Sequence, residues 1–239
     1  MQLWLRSAFM MPLDNAFVSV ILLAGGKGTR MRSSIPKQYL PLGGKPLALY
    51  SLELFAACKA ISEIIIVCDL FYQPLFMPHH TSLLFATPGN RRQDSVYSGL
   101  QKTSNPSKKT HLICVHDSAR PLATSSDLMN VLAEAKKHGA AAAANLVKNT
   151  IKECDPQGFV QSTLDRSQLW EMYTPQVVEA SLLKRGFKIA LENNLTVTDD
   201  AALVELTGHP VKLVQGSYSN IKITTPEDLP LAETLLRLQ

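Results

Sequence analysis

The stretch Val18-Ser19-Val20-Ile21-Leu22-Leu23-Ala24-Gly25-Gly26-Lys27-Gly28 decides the fold. Val18–Leu23 is a β-branched and aliphatic run, the pattern of a strand covered on both faces. Gly25, Gly26 and Gly28 then break the chain into a turn. Similar runs recur at Ile64–Cys68 and Leu112–Val115. Helical patterns lie between and after them. Pro46–Lys59 places Leu49, Leu52 and Ala56 on one face, Asn90–Lys102 reads as a helix, and Ser126–His138 is capped by Ser125 or Ser126 and ended by Gly139. Ala140–Val147 is a small-residue strand. This alternation predicts an α/β fold, a Rossmann-like doubly wound and mostly parallel sheet.

The chain departs from that rhythm once. Asn149–Asp155 and Phe159–Leu164 flank Pro156-Gln157-Gly158, a hairpin signal with glycine in the turn. Residues 149–165 are expected to project from the body as a β-arm. Helices near Glu179–Asn193 and Asp199–Thr207, strands at Val211–Val214 and Asn220–Ile223, and a helix from Pro226 to Leu238 complete the reading. Residues 18–239 form a single domain behind an extension, 1–17. That extension has interrupted apolar runs and no clear small-residue cleavage site, so it is a poor secretory signal. It reads as a ragged extension or the remnant of a targeting segment.

The 239 residues carry 24 Lys+Arg against 20 Asp+Glu, a net charge of +4. So weak and dispersed an excess argues against nucleic acid and suits small anionic ligands. No apolar run approaches the ~20 residues of a membrane span. Cys58, Cys68, Cys114 and Cys154 have neither CxxC nor zinc-like spacing, and read as reduced thiols used in packing.

Ligands of doubly wound sheets sit beyond the carboxyl ends of the strands, so the residues following each strand matter most. Leu23–Met31 brings glycine backbone close to phosphate oxygens, with Arg30 as a fork-shaped donor. It fits neither a Walker A loop nor the dinucleotide fingerprint, since Met31 stands where a small residue is needed. Lys37, after the stiffening Pro36, is a second cation at the same mouth, or simply a solvated lysine. Gly89-Asn90-Arg91-Arg92-Gln93-Asp94-Ser95 opens a helix with small donors able to read a base edge. Asp117, ending a buried strand, could hold Mg²⁺ against phosphates or pair with Arg120. His116 reads as a satisfied core histidine. Asp199 and Asp200 suit a helix start, and Lys222 an exposed edge.

In order, LAGGKGTRM, PKQYLPLGGKP, GNRRQDSV, VHDSARP, TLDRSQLWEMYTPQ, TVTDD and NIKITTPEDL make the chain resemble the 2-C-methyl-D-erythritol 4-phosphate cytidylyltransferase family from Val18 to Leu238. The resemblance implies a nucleotidyltransferase fold with an arm exchanged across a homodimer. It implies CTP and a polyol phosphate as substrates, with Mg²⁺, in non-mevalonate isoprenoid synthesis. It makes Arg30, Lys37, Arg166 and Lys222 catalytic, with Arg166 serving the partner's site. Ala24, Gly25, Gly26, Gly89, Asn90 and Ser95 would line the CTP site, and Arg120 would lie beside the candidate metal ligand Asp117. Thr150, Thr174 and Thr198 match hydroxyl donors to the polyol phosphate. Asn90 departs from the acidic residue often found there. A bacterial cytoplasm or a plastid stroma fits such an enzyme.

Three rival readings remain at this level. A ribitol-5-phosphate cytidylyltransferase shares the loop, cations and arm. A non-catalytic nucleotide-binding protein of the same fold would not need cations on both sides of the reacting phosphorus. A dehydrogenase is disfavoured by Met31.

Overall fold

The computed structural model describes residues 16–79, 82–104 and 110–238. Of the expected extension only Ala16 and Phe17 fall within them, and they open β1 (Ala16–Leu23). There follow the two-residue strands β2 (Pro41–Leu42) and β3 (Lys45–Pro46), α1 (Leu47–Ala57), β4 (Glu63–Val67), the single turn α2 (Gln73–Phe76), β5 (Leu83–Ala86), α3 (Arg92–Leu100), β6 (Thr110–Asp117) and α4 (Ser125–His138). The second half holds β7 (Ala140–Leu146), β8 (Lys152–Cys154), β9 (Val160–Thr163), β10 (Trp170–Glu179), α5 (Ala180–Glu192), α6 (Asp200–Glu205), β11 (Lys212–Gln215) and α7 (Asp228–Arg237).

The central sheet runs β11-β7-β10-β6-β1-β4-β5. All its pairings are parallel except those of β10 with β6 and β7. Successive side chains of a strand face opposite layers, which is why each strand is apolar throughout. Val20, Leu22, Ile64 and Ile66 pack with Leu52 and Phe55 of α1 and Leu128 and Leu132 of α4. Ile21, Ile65 and Val67 pack with Val96 of α3, Phe187 of α5 and Leu203 of α6. The chain winds from β1 to β4 and β5 on one side, then crosses to β6 on the other. In register, Leu23 stands beside Val67 and Asp117. The loops after these strands therefore rise at one level around the switch point, where such sheets bind ligands.

Several sequence expectations change in detail. The cap of α4 is Thr124, whose hydroxyl accepts from the Asp127 N–H at 3.1 Å, rather than Ser125 or Ser126. Residues 220–223 form no strand. Ile223 N–H reaches the Ala119 carbonyl, but Asn220 and Ile221 bond back to Ser217 and Ser219, so no ladder can form. The strand β10 had no expected counterpart: Pro175 cannot donate to a ladder, and Glu171, Thr174 and Gln176 break any apolar pattern. The sheet accommodates the proline where β10's register with β7 shifts, between Met172 and Gln176.

The arm stands as expected. β8 and β9 pair antiparallel as a separate two-stranded sheet. The Asp155 carboxylate accepts the N–H groups of Gln157 and Phe159 and closes the turn. Phe159 and Val160 at the arm's tip are 72% and 60% exposed.

Candidate active site

The glycine loop is braced from below. Buried Gln38 donates through Nε2 to the carbonyls of Ala24 (2.7 Å) and Gly26 (2.9 Å), and the Tyr39 hydroxyl donates to Ala24 as well. The Ala24 N–H donates to the Val67 carbonyl. Ala24 thus lies behind the loop and does not line the cavity, whereas its neighbours Leu23 and Gly25 do. Gly28 sits at φ +62, left-handed backbone that glycine adopts without strain. A Cβ on Gly25 would fall 2.3 Å from Pro88 Cγ, so the loop can approach the 88–95 segment only without a side chain there.

Between these walls opens a cavity of about 480 Å³. Gly25, Gly26 and Arg30 form one side, Gly89, Asn90 and Ser95 the other, and Lys37, Arg92, Asp117 and Lys222 the floor. The Ser95 hydroxyl accepts the Gly89 N–H at 3.0 Å and fixes the turn into α3. Cations outnumber carboxylates along this surface, which makes it a seat for a polyanion. Lys37 donates to the Ile223 carbonyl at 2.7 Å. Burial, with Lys222 and Arg30 adding repulsion against the pull of Asp117, lowers its ammonium to about 8. A lysine so placed gains from any anion that arrives.

A second cavity, about 260 Å³, lies between β10 and the start of α6, lined by Arg120, Tyr173, Thr174, Thr198 and Asp199 among others. Arg92, Asp117 and Lys222 line both cavities and form the partition. Asp117 Oδ1 takes Arg92 Nε at 3.1 Å and Oδ2 takes Lys222 Nζ at 2.5 Å. Burial alone would raise the Asp117 carboxyl, but Arg92 and Lys222 hold it far below the usual carboxylate range. Arg92 also reaches Asp200 Oδ2 at 2.8 Å. Asp200 is 1% exposed, and burial outweighs Arg92 to push its carboxyl up.

The sequence alternative of an Asp117–Arg120 pair is not what forms. Arg120 donates to the Asn220 and Met172 carbonyls and lies over the Tyr173 ring at 4.6 Å. Asp199 caps α6, accepting from the Ala202 N–H, while Lys222, expected at an exposed edge, lines both cavities and pairs with Asp117. His116 is fully buried, as expected of a core histidine, and burial lowers it to about 4.

Three expected residues line neither cavity of the single chain: Ala24 behind the glycine loop, and Arg166 and Thr150. Arg166 donates to the Lys148 carbonyl at 2.6 Å at the root of the arm, and Thr150 is exposed nearby. Three residues with work to do were passed over in the sequence reading. Arg92 stood in a quoted motif without a role, as did Gln38. Gln176 accepts the N–H groups of Asp200 and Ala201 and donates to Asp199, so it sets the entry of α6. Buried amides seldom announce themselves in sequence, because the same residue type is ordinary on a surface.

Among the described residues no three His, Cys, Asp or Glu side chains gather into a metal site. Asp117 is the carboxylate on the larger cavity's wall, and both its oxygens already face cations. This donor set does not form a resident metal centre.

A family model whose description is 2-C-methyl-D-erythritol 4-phosphate cytidylyltransferase matches residues 18–238. The chain belongs to this cytidylyltransferase family. A chloroplastic 2-C-methyl-D-erythritol 4-phosphate cytidylyltransferase of Oryza sativa is 52% identical over 92% of the chain and 74% of its own length. The enzyme of the same name from Chlamydia pneumoniae is 44% identical over 91% of the chain and 98% of its own length. Among solved structures, 4-diphosphocytidyl-2C-methyl-D-erythritol synthase of Anaerococcus prevotii matches with TM-score 0.82 and 28% identity, covering 94% of this chain and all of the other. The cytidylyltransferase of Thermus thermophilus matches at TM-score 0.76 and 32% identity, over 92% and 99% of the two chains. Chloroplastic and bacterial members thus both resemble this chain, and none of its described helices is long and apolar enough to cross a membrane.

Proposed function

We propose that this chain is a nucleotidyltransferase that joins CTP to 2-C-methyl-D-erythritol 4-phosphate in isoprenoid precursor synthesis. A phosphate oxygen of the acceptor attacks the α-phosphorus of CTP. The bond to the β-phosphate breaks, pyrophosphate leaves, and 4-diphosphocytidyl-2-C-methyl-D-erythritol remains. The observation that carries this reading is the partition: two cavities share Arg92, Asp117 and Lys222 as a common wall. Two anions must meet across one phosphorus, and each unit-charge pair at 4 Å and an effective dielectric near 20 costs about 4 kcal/mol. Cations at the meeting point offset that repulsion and stabilise the charge of the transition state.

In this reading the larger cavity takes CTP. Gly25, Gly26 and Arg30 receive the triphosphate together with Lys37, and Gly89, Asn90 and Ser95 read the base. Lys222, Arg120 and Thr198 serve the acceptor. No general base is required, since a phosphate dianion is already nucleophilic near neutral pH. Magnesium would be held chiefly by the triphosphate oxygens of CTP and would supply charge neutralisation there. Asp117 is the chain's candidate ligand to it, and direct ligation would require Asp117 to release Lys222. Arg166 and Thr150 act from the arm of a second copy in a homodimer, where the exposed Phe159 and Val160 would be covered.

The test is pyrophosphate release from Mg·CTP with methylerythritol phosphate and ribitol phosphate offered separately. Release with methylerythritol phosphate alone supports the reading. Release with ribitol phosphate alone keeps the mechanism and changes the acceptor, while release with neither leaves a nucleotide-binding protein.

A further inference from the structure

Thr174 matched a hydroxyl donor to the acceptor, and His116 a core residue. Their hydrogen bonds assign them differently. His116 Nε2 lies 3.2 Å from the Arg120 carbonyl oxygen, which only accepts, so Nε2 carries the ring proton. The ring is 0% exposed and both its nitrogens face uncharged partners, the Arg120 carbonyl and the Thr174 hydroxyl, so no counter-ion is in contact with it to hold a buried charge. Nδ1 is then a bare lone pair, 3.1 Å from Thr174 Oγ1, and the hydroxyl must donate to it. The same Oγ1 accepts the Asp117 N–H at 3.1 Å. A hydroxyl has one hydrogen. Thr174, itself 4% exposed, has already given that hydrogen to His116 and offers a substrate only a lone pair.

We propose that His116 is a positioning residue for the transfer reaction: its Nε2–H tautomer locks the Thr174 hydroxyl as acceptor for the Asp117 N–H, fixing the carboxylate that holds Lys222 and Arg92. The relay joins β6 to β10 directly behind the partition. Rotating the Thr174 hydroxyl away would free the Asp117 backbone and, through the carboxylate, the Lys222 ammonium. The effect on turnover rests on the function proposed above, but the tautomer does not.

Two measurements test it separately. Long-range ¹H–¹⁵N spectra of the full chain, with His116 assigned by its substitution, should show a neutral ring with a pyrrole-type Nε2 and a pyridine-type Nδ1. A pyrrole-type Nδ1 or a charged ring near pH 7 overturns the proposal whatever the activity. Kinetics then compare His116→Leu, which removes the acceptor for Thr174, with His116→Asn, whose amide oxygen can replace Nδ1. His116→Leu should cut kcat/KM for the sugar phosphate about tenfold, with the Kd for CTP unchanged, and His116→Asn should recover most of it. Thr174→Val should match His116→Leu, and Thr174→Ser the parent. Equal losses in both His116 variants, or a matching loss of CTP affinity, would mean a merely structural histidine. If the parent shows the expected tautomer but no turnover with any acceptor, the functional reading fails; the Asp117 amide resonance then tests the relay. It should move in His116→Leu and Thr174→Val and return in His116→Asn, and a shift common to all three overturns the relay.

Discussion

Lys222 Nζ lies 2.5 Å from Asp117 Oδ2 across 105 residues of sequence, and the carboxylate's other oxygen belongs to Arg92. Asp117 is therefore a post to which two cations are tied at the boundary between the cavities. Asp117→Asn should let Lys222 drift by an ångström or so, a displacement that typically costs about a hundredfold in rate. The expected result is a hundredfold lower kcat/KM for the sugar phosphate with CTP affinity by calorimetry within about threefold of the parent. Loss of CTP binding instead would show that Asp117 serves the nucleotide.

A magnesium ion delivered by CTP should have no tight site on the protein alone. With Mn²⁺ as the probe, electron paramagnetic resonance should show weak binding to the nucleotide-free chain and strong binding once CTP is added. Asp117→Asn separates the two ways the ion can be held. Unchanged Mn²⁺ affinity in the CTP complex means the triphosphate alone ligates it, while a fall of tenfold or more makes Asp117 a ligand.

The sheet was legible where burial writes a simple pattern. Val18–Leu23, Ile64–Cys68 and Leu112–Val115 are apolar on both faces because helices cover both, and the glycine breaks mark their ends. The arm was legible through Pro156-Gln157-Gly158. Strand β10 was not, because it has to carry Thr174 and Gln176 inward to the site and tolerate Pro175, so function had erased its periodicity. The site cations were legible only as a set in order. The partition was hidden, since an arginine at 92, an aspartate at 117 and a lysine at 222 meet only through the crossover between sheet halves. Gln38 and Gln176 show the same limit: their amides satisfy backbone groups that exist as partners only after folding.

Lys37 should give the reaction an alkaline limit. Its ammonium is lowered to about 8, chiefly by burial and also by Lys222 and Arg30, so the free enzyme loses this charge as pH rises through that value. kcat/KM for CTP should fall up to tenfold per pH unit above about 8. Lys37→Arg, which stays charged, should move the limb upward even if the maximum rate drops. The sign for stability is opposite. Between pH 8 and 10.5 the unfolded lysine holds a proton that the folded one has lost, so this group's contribution to stability rises with pH there. Unfolding through Lys37 cannot mimic the limb, and a thermal melt at each pH checks this. A limb unmoved by Lys37→Arg would assign it to another group.

The arm makes the sharpest demand on assembly. In one chain Arg166 is held on the Lys148 carbonyl at the arm's base and lines neither cavity, while Arg30 lines the larger one. If the arm crosses to a second copy, each active site combines Arg30 of one chain with Arg166 of the other. Arg30→Ala and Arg166→Ala homodimers should each be nearly inactive, since loss of one preorganised cation costs roughly 10²–10³ in rate. Unfolding and refolding the two together should yield heterodimers with one doubly substituted site and one intact site. With random pairing half the dimers are mixed, so about a quarter of the parent activity should return. Analytical ultracentrifugation of the parent should show a dimer under the same conditions. Restored activity requires Arg166 to act across the interface, whereas no recovery from a mixture that demonstrably pairs would place each site within one chain.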